Sequence, residues 1–148
     1  MVIEKLKSED IPGLLQLYTE LVPFGKSVDE AAAIYEEILQ DENYFLVVVK
    51  EGVRIIGSAL GVCCKTLTVP FLVIEDVIVK DGLRGMGIGQ KLMSALDEFA
   101  ATKHCAYAIL VSSDYRKEAH IFYEKVGFTD GARGFRKWYD KARRQSMG

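Results

Sequence analysis

The six residues Arg84-Gly85-Met86-Gly87-Ile88-Gly89 constrain this chain more than any other segment. They follow the apolar run Phe71 to Val79 and open an amphipathic stretch that begins at Ile88. The order is strand, glycine-rich turn, helix. The first turn of a helix carries unpaired N–H groups and the positive end of the helix dipole. Glycines strip the turn of side chains, so a phosphate can come close to the backbone. The segment therefore predicts a di-anionic ligand held by main-chain amides, with Arg84 nearby. It is not a Walker A loop, which needs Gly-x-x-x-x-Gly-Lys-Ser/Thr. Nor is it a dinucleotide fingerprint, because the glycines fall at 85, 87 and 89 instead of in Gly-x-Gly-x-x-Gly spacing.

The pattern Arg-x-x-Gly-x-Gly resembles the pyrophosphate loop of the GNAT superfamily, the acyl-CoA-dependent N-acetyltransferases. Two neighbours strengthen the resemblance. The strand Val73 to Val79 comes just before it, and Phe122-Tyr123-Glu124-Lys125-Val126-Gly127-Phe128 well after it resembles the family's Phe-Tyr-x-Lys-x-Gly-Phe motif. The resemblance spans roughly residues 43 to 139 and, less distinctly, the N-terminus.

Bulk properties narrow the alternatives. A chain of 148 residues is expected to form one domain over 1–148 that buries about 68–70% of its unfolded surface. A net charge of −2 gives no electrostatic reason to expect nucleic acid as a partner. No apolar run approaches the roughly 20 residues of a membrane span, and Glu4, Lys5 and Lys7 at the N-terminus are unlike a signal peptide. Cys63, Cys64 and Cys105 are odd in number and lack Cys-x-x-Cys spacing. They suggest buried apolar thiols in a reducing compartment, with no disulfide framework and no metal site. The expected location is cytoplasmic.

Along the chain, Val2 to Leu6 reads as a strand. Ser8 then caps a helix whose apolar face is Ile11, Leu14, Leu15, Leu17, Tyr18 and Leu21. Ser27 and Glu30 form a capping box for a second helix, to about Leu39. Tyr44 to Val49 and Arg54 to Cys64 read as a hairpin about Glu51-Gly52, and Thr68 to Val79 as the next strand. Ile88, Leu92, Leu96 and Phe99 mark one face of the helix after the glycine turn. Tyr107 to Val111 reads as a strand with both faces covered. Lys117 to Lys125 reads as a helix stopped by Gly127, and Phe128 to Thr129 and Phe135 to Tyr139 as two last strands. The order βααβββαβαββ is an α/β (mixed α+β sheet) arrangement and agrees with the GNAT fold. The resemblance implies a sheet splayed between the fourth and fifth strands.

Acyl transfer from a thioester requires a neutral amine, a stabilised oxyanion, a proton for the leaving thiolate, and two substrates held together. The resemblance implies that acetyl-CoA lies along backbone groups of Val77, Ile78 and Val79, with its pyrophosphate on Arg84, Gly85, Met86, Gly87, Ile88 and Gly89. It also implies that Tyr123 protonates the thiolate. Glu75 and Asp76 lie within an apolar run, where carboxylates are costly unless paired or functional. The resemblance implies Glu75 as general base, often acting through water, with Asp76 a candidate substrate contact. Under strict alternation 73, 75, 77 and 79 share one face and 74, 76 and 78 the other; a bulge, frequent in the family at this point, would change that. The Glu-Asp-Val-Ile-Val run also resembles that of glucosamine-6-phosphate acetyltransferases.

One departure concerns Arg116, which stands where many relatives carry an Asn that contacts the pantetheine arm. Arg116-x-x-Ala119-His120-x-Phe122-Tyr123 resembles a subgroup that includes aminoalkylphosphonate acetyltransferases, which makes Arg116 and His120 candidate substrate residues. Arg133 to Arg144 is locally basic and reads as a solvated tail or a contact for phosphate or an anionic substrate. The expectation is an N-acetyltransferase that uses acetyl-CoA and a small primary amine, and acts as a homodimer. The alternatives are an acyl-CoA-binding regulatory module without turnover and a protein N-acetyltransferase. The presence of both Tyr123 and Glu75 weighs against the first, and the absence of an added recognition domain against the second.

Overall fold

The computed structural model describes residues 1–146. They fall into two compact units, Met1–Leu110 and the segment from Val111 onward.

The first unit is a five-stranded sheet in the order β1-β2-β3-β4-β5. The strands are β1 (Val2–Lys5), β2 (Tyr44–Glu51), β3 (Arg54–Cys64), β4 (Phe71–Val79) and β5 (Ala108–Ile109). The first four are antiparallel and β5 runs parallel to β4, so the sheet is mixed and open, as expected. Helices α1 (Ile11–Tyr18) and α2 (Val28–Leu39) lie between β1 and β2 in sequence, and α3 (Ile88–Thr102) between β4 and β5.

Local chemistry explains where the helices begin. Ser27 Oγ accepts the Glu30 N–H at 3.1 Å, and the Glu30 carboxylate accepts the Ser27 N–H at 3.0 Å. This is the capping box read from the sequence. The first helix starts differently. A 3-10 turn, Ser8–Asp10, precedes it, and the Asp10 carboxylate, not Ser8, satisfies a free donor by accepting the Lys7 N–H at 2.9 Å. Pro12 suits the first α-helical turn, because it lacks a donor that would go unpaired there anyway.

The two faces of the sheet are packed separately. Leu6, Ile11, Leu14, Leu17, Tyr35, Leu46, Val48, Ile55 and Ile78 form one apolar cluster. The hydroxyl of Tyr35 donates to the Leu6 carbonyl oxygen within it. On the other face α3 buries Ile88, Leu92, Met93 and Leu96. Gly57 and Gly61 admit it closely: a Cβ on Gly57 would lie 2.8 Å from Ile88, and one on Gly61 2.8 Å from Leu96. Each such side chain, fully buried, contributes about 1.5–3 kcal/mol.

Strict alternation fails in β4. Leu72 lies beside Gly61 and Leu96 on the α3 face, whereas Ile78 belongs to the cluster on the α1–α2 face. Six residues apart, they would share a face in an unbroken strand. The pairing explains the switch: Ser58 is opposite Ile78 but Leu60 is opposite Glu75, so β4 carries one extra residue. Asp76, inside that bulge, adopts a left-handed backbone with φ +51°. Glu75 and Ile78 therefore lie on the same face of the sheet.

β5 is shorter than expected. Of the run Tyr107 to Val111 only Ala108 and Ile109 are paired, and Tyr107, Ile109 and Val111 are exposed, so the anticipated double coverage is absent.

The second unit contains α4 (Lys117–Lys125) and α5 (Lys141–Ser146). Among the described residues, Phe128–Thr129 and Phe135–Tyr139 are not strands, contrary to the sequence reading. Alternating side chains do not make a strand without a partner ladder, and Gly127, Gly131 and Gly134 raise the entropic cost of extending this stretch. Phe135 and Tyr139 are exposed. The short basic helix α5 was not anticipated. Among the described residues no helix is long and apolar enough to cross a membrane.

Candidate active site

The glycine turn has the geometry that its sequence predicts. Gly85 and Gly87 adopt φ of +84° and +83°, values that L side chains rarely take. Nothing lies within 4 Å of where a Cβ would be at either position. Gly87 is the N-cap of α3, and no side chain caps that end. The first intrahelical donor is Lys91, to the Gly87 carbonyl oxygen at 3.1 Å, which leaves the N–H groups of Ile88, Gly89 and Gln90 without helical partners. Arg84 and Met86 are exposed at the turn, and Arg84 forms an ion pair with Asp81 at 3.7 Å.

Two contacts hold the turn in place. Ile88 is almost fully buried. At the other end, the Glu20 carboxylate accepts the Asp81 N–H at 2.7 Å and pairs with Lys80 at 3.2 Å. The Asp81 N–H, and then Lys80, hold the Glu20 carboxyl below its ordinary pKa. Glu20 had no motif to mark it in the sequence.

β4 has one edge that is only partly used. β5 pairs with Leu72 and Val73 alone, while the β3 side remains paired through Ile78 and Val79. Beyond Val73, β4 runs on past the end of its pairing with β5. This is the expected splay, and it contains Val77, Ile78 and Val79. Their side chains serve the packing, with Ile78 buried and Val77 and Val79 half-buried.

Next to that edge the bulge brings several polar groups together. Glu75, opposite Leu60, is exposed. Desolvation raises the pKa of the Asp76 carboxyl, although the residue keeps an open side. Tyr18, the last residue of α1, reaches the same place. Burial, and then the charge of Asp76, push its phenol pKa up. Ser58 is fully buried and donates to the Val47 carbonyl oxygen at 2.9 Å. Sequence reasoning placed Tyr18 in the core and did not single out Ser58. Their separations from Asp76 left no local signal.

In the second unit, Tyr123 is largely buried in α4. Burial raises its phenol pKa, against a lowering by the Arg116 guanidinium. Its ring meets those of Phe122 and Phe128 edge-on at 5.5 and 6.0 Å. Arg116 is the N-cap residue of α4 and is exposed. His120 Nε2 donates to the Ser113 carbonyl oxygen at 2.9 Å, so this nitrogen is engaged within the unit. A concavity of about 590 Å³ is lined by Ser113, Tyr115, Arg136, Lys137, Trp138, Lys141 and Arg144, with Arg136 over the Trp138 ring at 5.5 Å. The basic stretch therefore includes a structured cationic surface.

Comparison with known proteins agrees with this geometry. The sequence profile of the Acetyltransferase (GNAT) family matches residues 11–128. A thialysine N-ε-acetyltransferase from Sus scrofa is 28% identical over 144 residues, covering 88% of this chain and 85% of that protein. A glucosamine 6-phosphate N-acetyltransferase from Trypanosoma brucei brucei is 44% identical over 55 residues, 37% of this chain and 35% of that one. Among solved structures, a putative acetyltransferase from Agrobacterium tumefaciens str. C58 superposes with a TM-score of 0.86 at 26% identity, over 93% of this chain and 99% of that one. Glucosamine-6-phosphate N-acetyltransferase from Arabidopsis thaliana also gives 0.86 at 26% identity, over 94% and 98%.

Proposed function

Because the chain belongs to the acetyltransferase (GNAT) family, we propose that it transfers the acetyl group of acetyl-CoA to a small primary amine by direct attack. One observation carries this reading: the part of β4 that runs on past the β5 pairing, through Val77, Ile78 and Val79, leads within a few residues to a helix N-terminus with no side-chain cap behind two left-handed glycines. An extended, amide-bearing arm can add to such an edge as a further strand would. A pyrophosphate suits the free N–H groups and dipole of α3. Pantetheine and pyrophosphate occur in that order in acetyl-CoA.

In this reading backbone groups of Val77, Ile78 and Val79 hold the pantetheine arm, and Arg84 to Gly89 the pyrophosphate. Glu75 accepts the amine proton, directly or through water. The amine nitrogen attacks the thioester carbon, the tetrahedral adduct expels the sulfur, and Tyr123 supplies the thiolate with a proton. Arg116 and His120 are assigned to the acceptor side on the subgroup resemblance alone. The three cysteines are free thiols, which suits the cytoplasm. The exposed Phe135 and Tyr139 favour a homodimer, which light scattering at micromolar concentration reads directly.

The test is acetyl-CoA-dependent thiol release over a panel of thialysine, glucosamine 6-phosphate, aminomethylphosphonate and spermidine. Turnover of at least one amine is expected. Tight acetyl-CoA binding with no turnover of any amine would favour a regulatory acyl-CoA-binding module.

A further inference from the structure

We propose that Glu20 is a positioning residue for acetyl-CoA: by accepting the Asp81 N–H it holds the turn from Asp81 to Gly87 in the shape that receives the pyrophosphate. This rests on the acetyltransferase reading above and adds a residue that itself touches neither substrate.

The turn has little of its own to keep its shape. Gly82, Gly85 and Gly87 adopt φ of +84°, +84° and +83°, and nothing lies within 4 Å of where a Cβ would be at any of them. Glycine has the most backbone freedom to lose. Inside the turn the Leu83 N–H donates to the Lys80 carbonyl oxygen at 3.0 Å. With Gly82 at positive φ, Lys80 to Leu83 form a type II turn. Among the described residues, no hydrogen bond other than that of Glu20 ties residues 81–86 to a distant part of the chain.

Glu20 is itself anchored. Its N–H donates to the Leu17 carbonyl oxygen at 3.0 Å, and Leu17 belongs to the apolar cluster on the α1–α2 face. One carboxylate oxygen accepts the Asp81 N–H at 2.7 Å, and the other pairs with Lys80 at 3.2 Å. Two contacts from one planar group to consecutive residues fix the direction in which the chain leaves β4. Asp81 extends the restraint: its Oδ1 accepts the Gly82 N–H at 3.1 Å and lies 3.7 Å from Arg84 Nη1. A turn held ready loses less entropy when a ligand arrives, and apparent affinity scales with the fraction of molecules already in the competent shape.

Positioning and electrostatics predict opposite signs. A carboxylate near an anion site repels the ligand, so removing its charge, which also frees Lys80, would tighten binding. Removing the tether would weaken it.

Titration calorimetry with acetyl-CoA compares wild type with Glu20→Ala and Glu20→Gln. Glu20→Ala is expected to raise the acetyl-CoA Kd about fivefold or more. At saturating acetyl-CoA, kcat and the KM of the best amine in the panel should change less than twofold. Glu20→Gln keeps an oxygen for the Asp81 N–H and should bind acetyl-CoA within twofold of wild type, or more tightly. Asp81→Pro removes the N–H itself, and proline suits the second residue of a type II turn. In that background Glu20→Ala should add less than a twofold loss. Should Asp81→Pro fail to fold, the Ala and Gln variants of Glu20 carry the test. Unchanged or tighter binding in Glu20→Ala, an equal loss in Glu20→Gln, or an equal loss in both backgrounds would overturn the proposal. Failure of the underlying reading is distinct: wild type would then bind no acetyl-CoA.

Discussion

The N–H of Phe128 donates to the Tyr123 carbonyl oxygen at 3.0 Å, and the rings of the same two residues meet edge-on at 6.0 Å. With the Gly127 N–H bonded to the Glu124 carbonyl oxygen at 3.2 Å, this is a complete Schellman stop, sealed by its apolar contact. It gives a structural reason for the spacing Tyr123-x-x-x-Gly127-Phe128. The glycine has φ +108°, and the turn it permits locks the ring beside the tyrosine.

Gly127→Ala should therefore disturb the position proposed for the acid. A side chain in this region costs on the order of 1–3 kcal/mol. Tm should fall by several degrees and kcat more than acetyl-CoA affinity. Calorimetry and steady-state kinetics check both, and a Tm drop with unchanged kcat would separate the helix stop from catalysis.

Tyr123→Phe keeps the ring contacts and removes only the hydroxyl. A phenol is already a weaker acid than a thiol, near pKa 10 against about 8.5, and burial pushes Tyr123 further up. In the proposed role Tyr123 would therefore give up its proton only as the thiolate forms, not before. The expected result is a kcat drop of about 10²-fold, with acetyl-CoA binding unchanged in titration calorimetry. Wild-type turnover would assign the proton to water or another group.

The glycine turn is tested by thermal shift. Acetyl-CoA at 100 times its Kd should stabilise the protein by about 2.7 kcal/mol. Gly89→Asp puts a carboxylate where the pyrophosphate is proposed to bind and should abolish the shift. Gly87→Ala, which strains the φ of +83° without adding charge, should lower Tm but leave part of the ligand shift.

Asp76 makes a prediction about pH. Desolvation raises its pKa above the ordinary 3.8. Between 3.8 and the raised value the folded state holds more of this proton than the unfolded state does, so stability falls as pH rises through that window. Below it the carboxyl is protonated in both states. Asp76→Asn should thus raise Tm at pH 7 by about 1–3 °C, with the gain vanishing by about pH 3. Asn tolerates the left-handed backbone, so the comparison isolates the charge. An equal gain at both pH values would assign it to something other than ionisation.

Much of the first unit was legible because its signals are local. The glycine turn, the Ser27–Glu30 capping box, the hairpin about Glu51-Gly52 and the apolar face of α3 each depend on residues within a few positions of one another. What followed Gly127 was misread for the same reason. Phe135 to Tyr139 alternates as a strand would, but a strand exists only when another backbone completes its ladder, and none does so among the described residues.

The sequence by itself determined the fold class, the family resemblance and the glycine turn at the start of α3, because backbone chemistry at glycines and helix ends is written in consecutive residues. Only the tertiary structure decided which faces Glu75 and Asp76 occupy, because one inserted residue in β4 reverses the alternation without altering the composition of the strand. Only it, too, placed Asp76 between the pairs Ser58–Ile78 and Leu60–Glu75. A bulge exists only where two paired backbones differ in length, so it is defined by β3 and β4 together and not by either segment alone.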